Sequence, residues 1–259
     1  LAPAPQVALK RTHRHEIVED ASENIYRLLG KAIHKILEAS GDNVLHEERL
    51  FGECLGWRWS GQLDELTLQE AAPGEWWLRD WKTASVWKVK SKDFKDYEHQ
   101  LNLLALLLHE AGFNVTKASV CLILRDWSKT QVGRDDYPPV GAQEVEIPLW
   151  PVTERLAYLM ERVRLHQAAR ITLPECSDEE RWAKPAVYAV MKPGRKSAVR
   201  LLDTEADAVA WAALEKGLSV VKRPGENTRC DHYCSAAPWC DQYKAMKEPV
   251  AEGQEEKGS

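Results

Sequence analysis

The order of apolar and polar positions divides the chain into segments of different texture. Over residues 20–40, Ile25, Leu28, Leu29, Ala32, Ile33, Ile36 and Leu37 recur at i, i+3, i+4 and i+7, the stripe of an amphipathic helix. Asp20 followed by Glu23 is placed to cap its start, and Gly41 to stop it. Residues 44–82 read as strands. Segments 57–66 and 76–82 flank a turn-like stretch running from Glu70 through Pro73 and Gly74 to Glu75, which predicts a hairpin. A long apolar helix is expected over 93–111, ended by Gly112. A buried strand follows over 115–125, a shorter one over 144–149, and a second amphipathic helix over 152–169.

Beyond Pro174 the segments shorten. A hairpin over 188–192 and 198–202 turns at Pro193 and Gly194, a helix over 205–216 stops at Gly217, and 218–221 is a last strand. The pattern predicts an α/β core over residues 1–175, with a mixed central sheet flanked by helices. A small β-β-α-β appendage with a cysteine-rich end follows over 176–246, packing back on the core. A Glu-, Gly- and Lys-rich tail over 247–259 is expected to be disordered.

Composition narrows the classes. The 259 residues, 44% hydrophobic and 29% charged, can bury a sizeable core. No run approaches the roughly 18 apolar residues of a membrane span. The first residues, Leu1 to Pro5, lack the basic start and apolar block of an export signal, so a cytoplasmic protein is expected. The missing initiator Met suggests a fragment or a processed chain. A net charge of −5 excludes binding of polyanions by bulk charge. Positive charge is nevertheless local: Lys82, Lys88, Lys90, Lys92 and Lys95 fall close together, and Lys10, Arg11, His13, Arg14 and His15 form a second knot. Each cluster reads equally as a solvated surface.

Candidate chemistry centres on Asp80 and Lys82. In a strand they project from one face, with Leu78 and Trp76 behind them on the same side. Asp64, near the end of the preceding strand, supplies a second carboxylate, and two carboxylates on adjacent strands can share a hard divalent cation. Such an ion activates water and offsets charge on a phosphate, and a lysine beside it can help take the proton. Alone, the Asp-x-Lys pair is a common surface ion pair. His34 lies off the apolar stripe of its helix, on a row with Gly30 and Glu38. Gln100 sits on the core-facing side of the next helix, where its amide must find a partner, and the strand carrying Asp80 and Lys82 is the obvious neighbour.

Three thiols, Cys230, Cys234 and Cys240, fall within eleven residues, and Cys176 is the best remaining fourth. Four thiolates suit a [4Fe-4S] cluster or structural Zn2+, and His232 could replace one of them around zinc. Cys54 and Cys121, among apolar neighbours, read as buried thiols. Of eleven tryptophans, Trp57, Trp59, Trp76, Trp77, Trp81 and Trp87 cluster around Asp80 and Lys82 in sequence. Packing on a twisted sheet accounts for most of them, while Trp87, between lysines, could stack on the bases of a single strand.

The ordered set Gly30-x-x-x-His34, Gly61-x-x-Asp64, Asp80-x-Lys82-Thr83 and Tyr97-x-x-Gln100-Leu101 resembles the PD-(D/E)XK nuclease superfamily. It is most similar to the RecB-like exonuclease branch, which includes phage-encoded members and CRISPR adaptation nucleases. The resemblance implies a restriction-endonuclease-like core that hydrolyses DNA with Mg2+ or Mn2+. His34, Asp64, Asp80 and the backbone carbonyl of Trp81 would hold the ion, Lys82 would be the catalytic lysine, and Gln100 and Tyr97 would position the lysine or the DNA. Lys88, Lys90, Lys92 and Trp87 would guide the strand. Single-stranded DNA or duplex ends are the expected substrate, with a recombination or replication protein as a possible partner. A site- or structure-specific endonuclease, or a non-catalytic DNA-binding module, are the alternatives. Family members often carry Gln-x-x-x-Tyr, where this chain has Leu104. The same branch often holds an iron-sulfur cluster on three close C-terminal cysteines and one remote upstream cysteine, which favours the cluster over zinc here. In this chain Cys176 follows the nuclease motifs instead of preceding them, and the first gap in the cysteine run is three residues instead of two.

Overall fold

The computed structural model describes residues 2–18, 20–37 and 44–247. The expected helix stop at Gly41, Glu38 beside His34, and the tail beyond 247 lie outside the described residues. In chain order the elements are α1 (Ala4–Thr12), α2 (Ile25–Leu37), β1 (Val44–His46), β2 (Arg49–Cys54), β3 (Trp57–Gln62), β4 (Glu65–Leu68), β5 (Glu75–Ala84), α3 (Val86–Ser91), α4 (Lys95–Glu110), β6 (Asn114–Leu124), β7 (Ala142–Glu146) and α5 (Val152–Ala168). They continue with α6 (Asp178–Arg181), β8 (Ala183–Lys184), β9 (Val187–Met191), β10 (Arg200–Leu202), α7 (Glu205–Ala212), β11 (Ser219–Arg223), β12 (Glu226–Asn227), α8 (Thr228–His232) and α9 (Asp241–Lys247).

The described residues form two compact units, one within 20–167 and one combining 2–18 with 168–247. The division therefore falls before residue 175, and the N-terminal helix α1 belongs with the C-terminal segment. In the first unit a five-stranded sheet runs in the order β1-β4-β5-β6-β7. Strands β5 and β6 are parallel and the other pairs antiparallel, which makes the sheet mixed as expected. Parallel pairing needs a long crossover, and α3 and α4 provide it. Helix α4 buries Leu101, Leu104, Ala105 and Leu108 against Leu66, Leu78, Val120 and Leu122 of the strands and Leu63 between β3 and β4.

The hairpin expected between 57–66 and 76–82 is rearranged. Strand β3 ends at Gln62 and pairs with β2 in a separate ribbon, while β4 pairs with β5, Leu66 opposite Leu78. The break falls at Leu63 and Asp64. A local cause is Gly61: a Cβ there would lie 2.5 Å from Leu104 Cδ2 and 3.1 Å from Leu107 Cδ1, so the ribbon presses onto α4 only because the side chain is missing. Leu104, where the family often has tyrosine, is spent on this contact.

Helix α2 is shorter at its start than expected. Residues 21–24 form a 3-10 turn, capped by the Asp20 carboxylate accepting from the Ser22 amide at 2.8 Å. Its apolar stripe does not enter the core: Ile25, Leu28, Leu29 and Ile36 are exposed. Cys54 is buried as expected, whereas Cys121 is only half-buried, facing Glu144. Among the described residues no helix is long and apolar enough to cross a membrane.

In the second unit the expected β-β-α-β segment is present as β9, β10, α7 and β11, an antiparallel sheet in the order β10-β9-β11. Helix α7 starts where the Thr204 hydroxyl accepts from the Asp207 amide at 3.1 Å. The two-residue strands β8 and β12 pair beside the cysteine-bearing segment.

Candidate active site

Strand β5 places its residues by simple alternation. Asp80 and Leu78 point into the layer under α4 and are buried; Asp80 is only 1% exposed. Burying a carboxylate is costly unless it is paired, and two partners meet it. Gln100, from α4, donates its Nε2 to Asp80 Oδ1 at 2.9 Å, so the amide finds the neighbour expected of it. Lys82 Nζ stands 2.5 Å from Oδ2. That approach lies off hydrogen-bonding direction, so Oδ2 is ion-paired yet has no hydrogen bond.

Asp64 occupies the break between β3 and β4. Its Oδ2 accepts the Trp81 amide at 2.7 Å, which fixes the carboxylate beside β5 without an ion. Burial foremost, then the nearby Asp80 charge, pushes the Asp64 carboxyl up to about 6, against the lowering effects of the Trp81 amide, Lys82 and His34.

His34 reaches the same place from α2. Its Nε2 lies 2.8 Å from the Trp81 carbonyl oxygen, which can only accept, so Nε2 carries a proton. Nδ1 then faces Glu47 Oε1 at 3.4 Å and Asp64 Oδ1 at 3.5 Å. A neutral imidazole would present a lone pair to two carboxylates, an arrangement that calls for a proton or a cation between them. Among the described residues, His34, Glu47 and Asp64 are the one set of three such groups whose ligand atoms lie within 4.8 Å of one another. An imidazole nitrogen and two carboxylate oxygens suit Mn2+ or Mg2+.

The grouping differs from the expected one in two respects. Asp80 belongs to no such triad, being held by Gln100 and Lys82, and the Trp81 carbonyl is engaged by His34. Glu47 was not anticipated. It follows β1 in a turn with a positive φ of 53°, and its Oε2 accepts from Gln62 Nε2. Nothing in a single Glu among many marks it; only the turn between β1 and β2 brings it to His34.

The expected DNA-contact residues surround α3 and the start of α4. Tyr97 is half-buried, stacked near Phe94, with Lys88 Nζ 4.9 Å from its ring centre. Burial, then the Asp80 charge, holds the Tyr97 hydroxyl above its ordinary range. Lys90 and Lys92 are exposed, and Trp87 is 72% exposed on α3, free of the core. The other tryptophans of the cluster are partly buried: Trp57 and Trp59 pack with Leu159 and Val163 of α5, and Trp76 meets Phe113 edge-on.

In the second unit Cys176, Cys230, Cys234 and Cys240 line one narrow, apolar pocket, together with Pro5 and Leu9 of α1. Gln242 clamps Cys176, accepting from its amide and donating to its carbonyl, both at 2.9 Å. His13, from the basic knot, stacks on Trp239 at 4.8 Å. Burial first, then Glu180 and the neighbouring thiols, raises Cys176 to about 12. Among the described residues no three sulfurs lie within 4.8 Å of one another, whereas a tetrahedral zinc with bonds of about 2.3 Å would hold them roughly 3.8 Å apart. The cysteines share a pocket but do not form a closed zinc shell, and His232 joins no such triad either.

A profile of the PD-(D/E)XK nuclease superfamily matches residues 4–241. Among solved structures, the protein SSO0001 aligns at 16% identity over 67% of this chain and 73% of its own, with a TM-score of 0.44. A protein from Eubacterium rectale named as a "Putative exonuclease" aligns at 13% identity over 64% of this chain and 62% of its own, with a TM-score of 0.35. No curated protein matches the chain.

Proposed function

This chain belongs to the PD-(D/E)XK nuclease superfamily, and from that premise we propose that it is a divalent-metal-dependent deoxyribonuclease acting as an exonuclease on single-stranded DNA or frayed duplex ends. The observation that carries this reading is the convergence of His34, Glu47 and Asp64 beside the Asp80–Lys82 pair. His34, Glu47 and Asp64 would hold a Mg2+ or Mn2+ ion. Such an ion supplies Lewis acidity toward water and a phosphate oxygen.

The remaining work falls to this chain's own groups. The Trp81 amide keeps Asp64 turned toward His34, and Gln100 fixes Asp80, so that neither carboxylate must reorganise when a strand arrives. Lys82 Nζ, ion-paired with buried Asp80, would hold the attacking water and stabilise the negative charge it gains as its proton passes to solvent. Lys88 and Tyr97, with the exposed Trp87, would hold a strand leaving the site by charge and stacking. Recombination or replication of DNA is the process such an exonuclease serves.

For the cysteine pocket we propose an iron-sulfur cluster as a structural staple. Four thiols around one apolar pocket support it. Binding must displace thiol protons that burial holds on. A brown colour that bleaches in air, with iron in the purified chain, is expected; a colourless chain with one bound zinc would sink this part.

The nuclease reading is tested by incubating end-labelled and internally labelled oligonucleotides, single- and double-stranded, with the chain and Mg2+ or Mn2+. Progressive release from the end of single strands is expected. Internal cuts at fixed positions would replace the exonuclease with an endonuclease, and no cutting with either ion would remove the enzyme.

A further inference from the structure

We infer that α2 carries the track that holds the phosphates of the DNA strand at the ion site, through Arg27, Lys31 and Lys35. This rests on the nuclease reading and adds to it a binding surface distinct from the lysines of α3. A cavity of about 490 Å3 opens over the donor triad, with Glu47, Gln62 and Asp64 on one wall and α2 on the other. The α2 wall consists of Arg27, Gly30, Lys31, His34 and Lys35. These positions form the polar face of an amphipathic helix: Arg27, Lys31 and Lys35 are spaced i, i+4 and i+8, and the exposed apolar residues Ile25, Leu29 and Ile36 lie opposite.

Two features make this more than a solvated face. Three cations and the His34 imidazole face a wall that carries two carboxylates, the arrangement expected where an anionic ligand and a metal ion must be held side by side. The span also matches. Eight residues of helix rise about 12 Å, roughly three to four steps of a stacked strand with one phosphate per about 3.4 Å.

Gly30 is the second, independent observation. A glycine inside a helix costs about 1 kcal/mol against alanine, so some use of it is expected. The fold does not supply one: a Cβ at this position would meet only Thr83 Oγ1, at 3.8 Å, an ordinary contact. The glycine is spent on the cavity, whose α2 wall it leaves bare between Arg27 and His34, where a phosphate chain can lie close to the ion.

The test measures binding of a fluorescein-labelled single-stranded oligonucleotide against salt, in a Lys82→Ala background with Mg2+ so that the strand stays intact. With about 0.7 counterions released per phosphate contact on a single strand, the Arg27→Gln, Lys31→Gln, Lys35→Gln triple variant is expected to flatten the log–log slope by about 2. Its Mn2+ affinity by titration calorimetry should be unchanged. Gly30→Leu should weaken strand binding at least tenfold with the slope retained and the melting temperature not lowered. An unchanged slope in the triple variant, while replacing Lys88, Lys90 and Lys92 abolishes it, would overturn the track and leave the nuclease reading standing. Failure of the Lys82→Ala chain to bind any strand, together with failure of the unmodified chain to cut, would remove both.

Discussion

The two clusters of ligand-type side chains are built on different principles. In the first unit each donor is fixed by the fold itself: Asp64 by the Trp81 amide, Asp80 by Gln100, and His34 by the Trp81 carbonyl. In the second unit the thiols are gathered around a narrow pocket by short helices and the turns between them, with one clamp, Gln242 on Cys176. A site framed by a five-stranded sheet can lose its ion and keep its shape. A pocket lined by short elements depends more on whatever fills it, because such elements bring little stability of their own to offset the chain entropy.

That contrast is broken or sharpened most strongly by stripping metal. EDTA is expected to remove the divalent ion with no loss of folded structure within 20–167. Loss of the cysteine-bound group, or Cys176→Ser, should make residues 168–247 sensitive to protease and give them a separate, lower melting transition. Equal behaviour of the two units in limited proteolysis would refute the distinction. Next in size is Glu47→Gln, expected to weaken Mn2+ binding on the order of 10–100-fold in calorimetry. An unchanged affinity would return Glu47 to a purely structural partner of Gln62.

Proton competition at Asp64 comes third. With its carboxyl pushed up to about 6, Mn2+ affinity should fall about tenfold per pH unit below that value and level off above it. The metal-free chain should show the opposite trend in stability. The raised value means that Asp64 contributes stability below the ordinary carboxylate range near 4, and this is lost as the pH rises through about 6. Added Mn2+ should cancel the loss, and flat melting curves between pH 4 and 7 with and without ion would contradict it. The smallest effect is expected from Gly61→Ala, whose Cβ must displace Leu104 and Leu107. A cost of about 1–3 kcal/mol in chemical denaturation should appear, with no change in ion affinity.

Much of the fold was readable in the sequence because the relevant signals were periodic. The α4 stripe, the buried run of β6 and the β9–β10 hairpin follow directly from side-chain spacing and turn residues. Asp80, Lys82 and Gln100 were legible for the same reason, since alternation on one strand and a polar amide on an apolar helix face leave few choices of neighbour. The errors lie where tertiary contact overrode local pattern. The strand expected through residue 66 breaks after Gln62 because the ribbon must settle on Leu104 and Leu107. The α2 stripe looks like a core stripe but stays exposed, since periodicity reports amphipathicity and not what covers the apolar side. Glu47 was invisible because its role depends on a turn with positive φ that no neighbouring residue advertises. Helix α1 joins the cysteine pocket from the far end of the sequence, a pairing that no local signal contains.

The central claim is that Lys82 acts beside an ion held by its neighbours, so the most direct measurement compares wild type with Lys82→Ala for digestion of an end-labelled single strand, with Mn2+ affinity measured on the same samples. The account predicts a rate lower by on the order of 100- to 10,000-fold with ion affinity retained within a few-fold. Equal digestion by the two proteins, or a chain that holds Mn2+ and never shortens the strand, would contradict it.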